Sequence, residues 1–252
     1  MSLFEELIED RVGDEKILKS FESKETLSDN IFETSGKKIV MRDDIRKSLL
    51  KIADDFIDTL GIEFFIHDIV LTGSLANYNW SNFSDVDLHI IIDFEDSKYG
   101  FDLLKEFFDA KERVWNKKHD IKIKGYDVEI YVQDINQEHV SSGVYSALNN
   151  KWVIEPERNN PNIDDRKILE KGEEYAKNID ELIKTSKDNK NVINDIETLR
   201  KKLKTFRQSG LESGGEYSYE NLTFKLLRRN GYIEKLLKLK TAVTDKKLSV
   251  AQ

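Results

Sequence analysis

The chain has 252 residues, of which 38% are hydrophobic and 35% are charged, and its formal net charge is −8. It contains no cysteine, which excludes disulfides and thiolate–zinc sites and suits a cytoplasmic location. No apolar run approaches the ~18 residues that span a bilayer, and the acidic start of the chain lacks a secretory pattern. We therefore expect a cytoplasmic protein that does not associate with membranes.

Charge is distributed unevenly along the chain. Residues 196–252 contain 13 Lys and Arg against 6 Asp and Glu, a net charge of +7, whereas the remainder contains 27 against 42, a net charge of −15. A basic segment in an otherwise acidic chain indicates an anionic substrate that the C-terminal part contacts. A solvated helical face would give the same pattern, and the net acidity argues against broad, nonspecific binding to duplex nucleic acid.

The first sixty residues predict helices separated by a polar connection. Residues 1–35 have the pattern of one or two short amphipathic helices, and the polar stretch 24–38 is typical of a loop. Arg42 to Leu60 carries apolar residues at a helical period, and Gly61 stands where such a helix would end.

Three strands are predicted in the middle of the chain. The first runs from Phe64 to Leu71 and the second from Val86 to Ile92. A predicted helix from Phe101 to Trp115 separates them from the third strand, which spans Lys122 to Val132 and turns as a hairpin at Gly125.

The remainder of the chain is predicted to be mostly helical. We expect a short helix over 141–148, a strand over 151–156, and long helices over 164–186, 192–207 and 217–239, the last interrupted at Asn230-Gly231. The predicted fold class is therefore α+β, a small mixed β-sheet core flanked by helices and followed by a helical C-terminal region. We assign residues 1–140 to the core and its N-terminal helices, and 141–252 to the helical region.

Four acids in or beside the second and third predicted strands are candidate metal ligands. Asp85 and Asp87 open the second strand and point to one face, because alternate residues of a strand share a face. Two neighbouring carboxylates repel each other unless a cation or a proton lies between them. Glu129 lies within the apolar third strand, where a charge is costly without a partner, and Asp127 shares its face and competes for the same role. The pattern predicts a Mg²⁺ site.

A Gly73-Ser74 turn follows the first strand. Glycine lets the backbone approach a ligand closely, and the Ser74 hydroxyl and backbone N–H suit a phosphate oxygen. His89 falls on the face of the acid pair, where we expect a neutral, hydrogen-bonded histidine at the edge of the site. Together with the acids, the turn indicates a metal–nucleotide site.

The order of these motifs resembles that of the DNA polymerase beta-like nucleotidyltransferase superfamily. The resemblance covers about residues 64–133 and rests on Gly73-Ser74, a spacer of about ten residues, the Asp85-Val-Asp87 motif and the later acidic strand. It implies transfer of a nucleoside monophosphate from a nucleoside triphosphate such as ATP to an acceptor hydroxyl. It also implies two Mg²⁺ ions, with Mn²⁺ as a substitute, held by Asp85, Asp87 and Glu129. Glu129 would also accept the proton of the attacking hydroxyl, although the family usually has Asp at this position.

Basic residues near the C-terminus suggest a second nucleotide contact. Lys225, Arg228 and Arg229 have i, i+3, i+4 spacing on a predicted helix, with Tyr232 one turn on. This face fits a triphosphate or an RNA backbone, with the aromatic ring available for base stacking. It also fits a solvated face beside the apolar stripe of the helix.

The acceptor is not fixed by the motifs. Acceptors in the superfamily include RNA ends, antibiotics, proteins and second nucleotides, and the basic C-terminal segment favours an RNA or tRNA end. The alternative function is a catalytically inactive nucleotidyltransferase fold that serves as a binding or antitoxin-like module. Both Asp residues and the Gly-Ser turn argue against inactivity, whereas Glu in place of Asp at position 129 argues for it.

Overall fold

The computed structural model describes residues 14–95, 99–139, 141–187 and 189–250. They form two compact units. The first, here called the sheet unit, is Ser23–Asn160; the second, the helical unit, combines the described residues before Ser23 with those after Asn160. This grouping differs from the sequence-based division between residues 140 and 141, because two strands beyond residue 140 belong to the sheet.

Up to residue 154, single helices are separated by groups of two or four strands. All later elements are helical. In chain order the elements are α1 (Asp14–Lys19), β1 (Phe32–Ser35), β2 (Lys38–Met41), α2 (Asp43–Asp58), β3 (Ile66–Thr72), β4 (Val86–Ile92), α3 (Phe101–Lys118), β5 (Lys122–Ile123), β6 (Tyr126–Asp134), β7 (Val144–Ser146), β8 (Lys151–Ile154), α4 (Asp165–Thr185), α5 (Val192–Gly214), α6 (Tyr219–Arg229) and α7 (Tyr232–Leu248). Short 3₁₀ turns occupy Ser74–Ala76 and Gly215–Tyr217.

A six-stranded mixed sheet forms the centre of the sheet unit. Its strand order is β5-β6-β4-β3-β7-β8, in which β4 and β6 are parallel and the other neighbours are antiparallel. Apolar residues of β3, β4 and β6 alternate toward a core that they share with α2 and α3, as Leu71, Leu88 and Ile130 illustrate. The other face of β4 and β6 carries mainly polar side chains, apart from the buried Ile91, which packs with Val70 and Val144. The site described below lies on that polar face.

Side chains of α3 bond to the backbone of β6, on the edge of the strand that β4 does not cover. Asn116 accepts a hydrogen bond from Ile130 N and donates one to Ile130 O, both at 3.0 Å. The buried Glu112 accepts a hydrogen bond from Val132 N at 2.5 Å. The helix thus satisfies backbone groups that a further strand would otherwise bind, which blunts this edge of the sheet.

The helical unit is built around apolar faces of α4 to α7. Its core includes Tyr175, Ile179, Ile196 and Leu236, each at most 1% exposed. Asp164 caps the start of α4 by accepting a hydrogen bond from Lys167 N. Within the described ranges, no helix is long and apolar enough to cross a membrane.

Most predicted elements are present, and the fold class is confirmed. β4 has the predicted bounds, and the predicted break at Asn230-Gly231 separates α6 from α7, where Gly231 has φ +75°. The prediction of a short helix over 141–148 is wrong, because β7 pairs with both β3 and β8 there. The predicted loop over 24–38 contains β1, and the predicted helix within 1–35 lies in part outside the described residues, which begin at 14.

Candidate functional site

The turn after β3 brings the backbone into contact with Asp87, the second acid of the pair. Gly73 has φ +72° and ψ −158°, a conformation that favours glycine. A Cβ atom on Gly73 would lie 1.9 Å from Asp87 Oδ2. Any other residue at this position would displace the Asp87 carboxylate. The turn and the acid are therefore in direct van der Waals contact.

Strand pairing places the predicted acids next to one another. Asp87 is the register partner of Thr72 on β3 and of Glu129 on β6. Asp85 lies two residues before Asp87, at the entrance of β4, and shares its face. All three acids are half-buried. The structure therefore brings Asp85, Asp87 and Glu129 together beside Gly73.

Tyr131 lies next to Glu129 on the same face of β6 and donates a hydrogen bond from its hydroxyl to the Glu129 carboxylate. The pKa of Tyr131 is raised, first by burial, then by this hydrogen bond and by the negative charges of Glu129, Asp87 and Asp85. The phenol therefore remains a hydrogen-bond donor at neutral pH.

Asp127, the alternative third acid, has a different environment. It is exposed and forms an ion pair with Lys122, its register partner on β5. Glu129 is instead the register partner of Asp87. On geometry, Glu129 is the better candidate for the third acid.

A hydrogen-bonded histidine extends the polar face beyond the acids. His89 Nδ1 lies 2.9 Å from Gln133 Oε1, and the His89 ring lies 5.0 Å from that of Tyr131. Gln133 is 8% exposed and donates from Nε2 to Gln137 O at 3.0 Å, so its oxygen faces His89 and the proton of His89 lies on Nδ1. Burial lowers the pKa of His89, and the hydrogen bond with Gln133 opposes this effect.

The predicted phosphate donors already have partners within the protein. Gly73 N donates to Ser141 Oγ at 3.2 Å, and Ser141 Oγ donates to Gly143 O at 2.8 Å. The Ser74 hydroxyl donates to Ser84 Oγ at 2.7 Å, which ties the turn to the residue before Asp85. A phosphate oxygen at Gly73 would take the position of the Ser141 hydroxyl.

The three predicted basic residues belong to the helical unit, and their environments differ. Arg229 donates to the Ser20 hydroxyl, and its guanidinium lies 4.9 Å from the centre of the Phe21 ring. Arg228 is exposed. The pKa of Lys225 is lowered to about 8 by burial and by the charges of Arg229, Arg228 and Arg207, while the charge of Glu216 opposes the shift.

The donor set suits a hard divalent cation. Asp85, Asp87 and Glu129 supply carboxylate oxygens, the ligands that Mg²⁺ prefers, and Asp87 lies against a turn with no side chain in the way. Within residues 14–95, 99–139, 141–187 and 189–250, no three or more His, Cys, Asp or Glu side chains are already arranged to hold a metal ion. The Glu129 carboxylate instead bonds to Tyr131. The residues fit the ion by chemistry and by register, and the carboxylates would have to converge to bind it.

A mixed sheet with a glycine turn packed against an acid pair defines a nucleotidyltransferase-type α+β core. Residues 49–154 match the family model described as a nucleotidyltransferase domain, and this segment is a domain of the polymerase beta-like nucleotidyltransferase superfamily. The match begins within α2 and ends with β8. It therefore includes every residue of the sheet-unit site. No curated protein matches the chain.

Some residues of the site are not evident from the motifs. Tyr131 and Gln133 follow Glu129 at alternate positions of β6, so the two-residue period of the strand could have identified them. Ser141 has no such signal, because it reaches Gly73 across 68 residues of sequence. Arg207 lies on α5, and only the packing of helices brings its charge near Lys225.

Proposed function

We propose that this protein is a Mg²⁺-dependent nucleotidyltransferase, which moves a nucleoside monophosphate from a nucleoside triphosphate such as ATP to an acceptor hydroxyl. One observation carries the proposal: Asp87 packs against Gly73 in a way that only glycine permits, and the same Asp87 is paired in register with Glu129. The turn that we assign to phosphate binding therefore lies beside the acids that we assign to the metal. That juxtaposition is what nucleotidyl transfer requires.

Each residue of the site has a separate role in the proposal. Gly73 leaves room for the triphosphate, and its N–H exchanges the Ser141 hydroxyl for a phosphate oxygen. Ser74 adds a further contact to the phosphates. Glu129 accepts the proton of the attacking hydroxyl, and Tyr131 holds its carboxylate until then. Mg²⁺ held by Asp85, Asp87 and Glu129, as two ions that Mn²⁺ can replace, would neutralise phosphate charge and favour departure of pyrophosphate.

We favour an RNA or tRNA end as the acceptor. Support comes from the net charge of +7 over residues 196–252 in an otherwise acidic chain, and from Lys225 and Arg228 on α6. Arg229 is assigned a lesser part, because its guanidinium is already bonded to Ser20. The absence of cysteine supports a cytoplasmic location for this activity.

A transfer assay tests the proposal. The full chain is incubated with each of the four α-labelled nucleoside triphosphates, in Mg²⁺, in Mn²⁺ and in EDTA, with total RNA, protein or small hydroxyl compounds as acceptors. We expect label on one acceptor class with either metal, release of pyrophosphate, and no transfer in EDTA. Absence of transfer for every nucleotide and acceptor would contradict the proposal.

The acceptor preference has its own test. In Lys225→Gln/Arg228→Gln, the KM for an RNA acceptor should rise, and the log–log salt slope should fall by about 0.7 for each lost phosphate contact. The KM for the nucleoside triphosphate in the transfer reaction should change little. If the triphosphate affinity collapses and the acceptor KM does not change, the two residues bind the nucleotide instead.

One observation favours the inactive, antitoxin-like alternative. The Glu129 carboxylate is bonded to Tyr131, and no three acids in the described part of the chain are already arranged around a metal ion. An inactive binding module should bind a nucleotide equally with and without Mg²⁺ and should release no pyrophosphate. The active enzyme should need the metal for turnover and for nucleotide binding to the sheet unit.

A further inference from the structure

The helical unit contains a cavity with an apolar floor and a basic wall. The cavity measures about 600 Å³ and lies between α5, α6 and α7. Its floor is formed by Leu203, Phe224, Ile233, Leu236 and Leu237. One wall carries four cations of α5, Arg200, Lys201, Lys204 and Arg207, and also Glu197, which forms ion pairs with Arg200 and Lys240. A ligand that fits this surface has an apolar or aromatic body and an anionic group.

Arg207 is held in a fixed orientation at the end of this wall. Its Nε donates to Asn221 Oδ1 at 3.1 Å, and Asn221, which is 1% exposed, donates from Nδ2 to Glu216 O at 2.7 Å. The guanidinium lies 4.9 Å from the centre of the Phe224 ring on the cavity floor. The two Nη groups of Arg207 are therefore presented in a fixed fork, the geometry that binds phosphate oxygens in pairs.

Positive charge around Arg207 is countered in part by the charge of Glu216, which acts on Lys225. Among the residues that the structure describes, no carboxylate lies within ion-pair distance of Arg207, Lys225 or Arg228. Burial and the charge of Arg228 lower the pKa of Arg207. Burial, with repulsion from the three arginines at 207, 228 and 229, lowers the pKa of Lys225 to about 8 against the opposing charge of Glu216. Partly buried cations that repel one another are stabilised by a bound anion.

We propose that the helical unit has its own binding site for a nucleotide, in which Arg207 and Lys225 hold the phosphate and the apolar cavity beside Phe224 receives the base. The site uses none of the residues of the Gly73 turn or the acid cluster. It does not depend on the proposed transfer activity. The nucleotide is either free or the terminal nucleotide of a single-stranded RNA, and the phosphate chemistry is common to both.

Nucleotide binding by the full chain in EDTA tests the site. The background is Asp85→Asn/Asp87→Asn, so that binding at the sheet unit is reduced, and the probes are 5′-AMP, adenosine, inorganic phosphate, and a short oligoadenylate with and without a 5′-phosphate. Calorimetry should show that 5′-AMP or the phosphorylated oligoadenylate binds at least tenfold more tightly than the same compound without its phosphate. Binding of 5′-AMP identifies a free nucleotide as the ligand, and binding of the oligonucleotide alone identifies a strand end.

Charge variants distinguish this site from nonspecific attraction. Arg207→Gln should weaken binding of the phosphorylated probe roughly 10- to 100-fold, and Lys225→Met should weaken it by a similar factor. Lys184→Gln, which removes one charge from an exposed position of α4 in the same unit, is the matched control and should have no effect. Circular dichroism establishes that each variant is folded, and Lys225→Met serves if Arg207→Gln does not fold.

Three results would overturn the proposal. The first is equal binding of adenosine and 5′-AMP. The second is unchanged affinity in both Arg207→Gln and Lys225→Met. The third is that none of the phosphorylated probes binds in the Asp85→Asn/Asp87→Asn background although wild-type protein binds them, which would place all nucleotide binding at the Gly73 turn.

Discussion

The two units position their charged groups by different means. In the sheet unit, backbone pairing fixes the acids, because the register of β4 and β6 sets Asp87 opposite Glu129. In the helical unit, side-chain contacts fix the cations, such as the bond from Arg207 to Asn221 and that from Arg229 to Ser20. Strand pairing fixes the direction in which a side chain points, whereas a long basic side chain on a helix can point in several directions.

The two units also differ in the sign of the charges that lie close together. The acids of the sheet unit share one face and repel one another, which a cation relieves. The cations Arg207, Lys225 and Arg228 of the helical unit repel one another, which an anion relieves. A bound cation should therefore stabilise the sheet unit, and a bound anion should stabilise the helical unit.

The largest effect is expected for Asp85→Asn/Asp87→Asn. Metal stabilisation of a transition state contributes several kcal/mol, and each 1.4 kcal/mol is tenfold in rate, so transfer should fall by at least about 10³-fold. The fold should persist, because the amides keep the shape of the carboxylates, and stability without metal should stay equal or increase as repulsion is lost. A transfer assay and thermal unfolding measure both effects. Retained transfer in the folded double variant would contradict the assignment.

The third acid is tested by comparing Glu129→Gln with Asp127→Asn. Glu129→Gln should lose roughly 10²- to 10⁴-fold in turnover and keep nucleotide binding, because it removes a proton acceptor. Asp127→Asn should have a smaller effect, because Asp127 is exposed and paired with Lys122. Turnover and nucleotide affinity are measured for both variants. The reverse order of effects would move the assignment by two residues along β6.

Gly73→Ala tests the contact between the turn and Asp87. The new Cβ would lie 1.9 Å from Asp87 Oδ2 at φ +72°, and we expect the unfolding free energy to fall by about 2–5 kcal/mol. Gly61→Ala is the matched control, since Gly61 has φ +70° and open space around it, and should cost about 1–2 kcal/mol. Chemical denaturation measures both. Equal losses would mean that the backbone conformation alone, and not Asp87, requires glycine.

The smaller effects concern the pH dependence of the unfolding free energy. The first arises from Glu112 in the sheet unit. Burial raises the pKa of Glu112 from about 4.5 in the unfolded chain to about 7. In that interval the folded protein binds more protons than the unfolded chain, so the unfolding free energy falls as pH rises from 4.5 to 7, by at most about 3 kcal/mol. Glu112→Gln should remove this slope. Denaturation of both proteins across this range measures it.

Lys225 should give the opposite slope in the helical unit. Its pKa is lowered from 10.5 to about 8, so the unfolded chain binds more protons between these values and the unfolding free energy rises with pH from 8 to 10.5. Lys225→Met should abolish the rise and leave the Glu112 slope unchanged. If one variant alters both slopes, the two units do not titrate independently.

The strands and the acid face could be predicted from the sequence, whereas the basic face could not. The alternation of apolar residues defines β4 and the shared face of Asp85 and Asp87 with no further information. Helical spacing groups Lys225, Arg228 and Arg229 equally well, but Arg229 turns to Phe21 and Arg207 of another helix comes near Lys225. The sequence also predicts a helix over 141–148, where β7 lies. A strand of three residues shows too little periodicity to indicate that it pairs with other strands.

The helical unit is assembled from two segments of chain with the whole sheet unit between them. The hydrogen bond of Arg229 with Ser20 spans 209 residues of sequence. At a synthesis rate of 5–20 residues per second, Ser20 is made roughly 10–40 s before Arg229. The residues from Ser23 to Asn160 can fold on the ribosome during that interval, whereas α1 waits for α6 to be translated. The nucleotidyltransferase domain is thus fully synthesised before the chain segment that completes the helical unit.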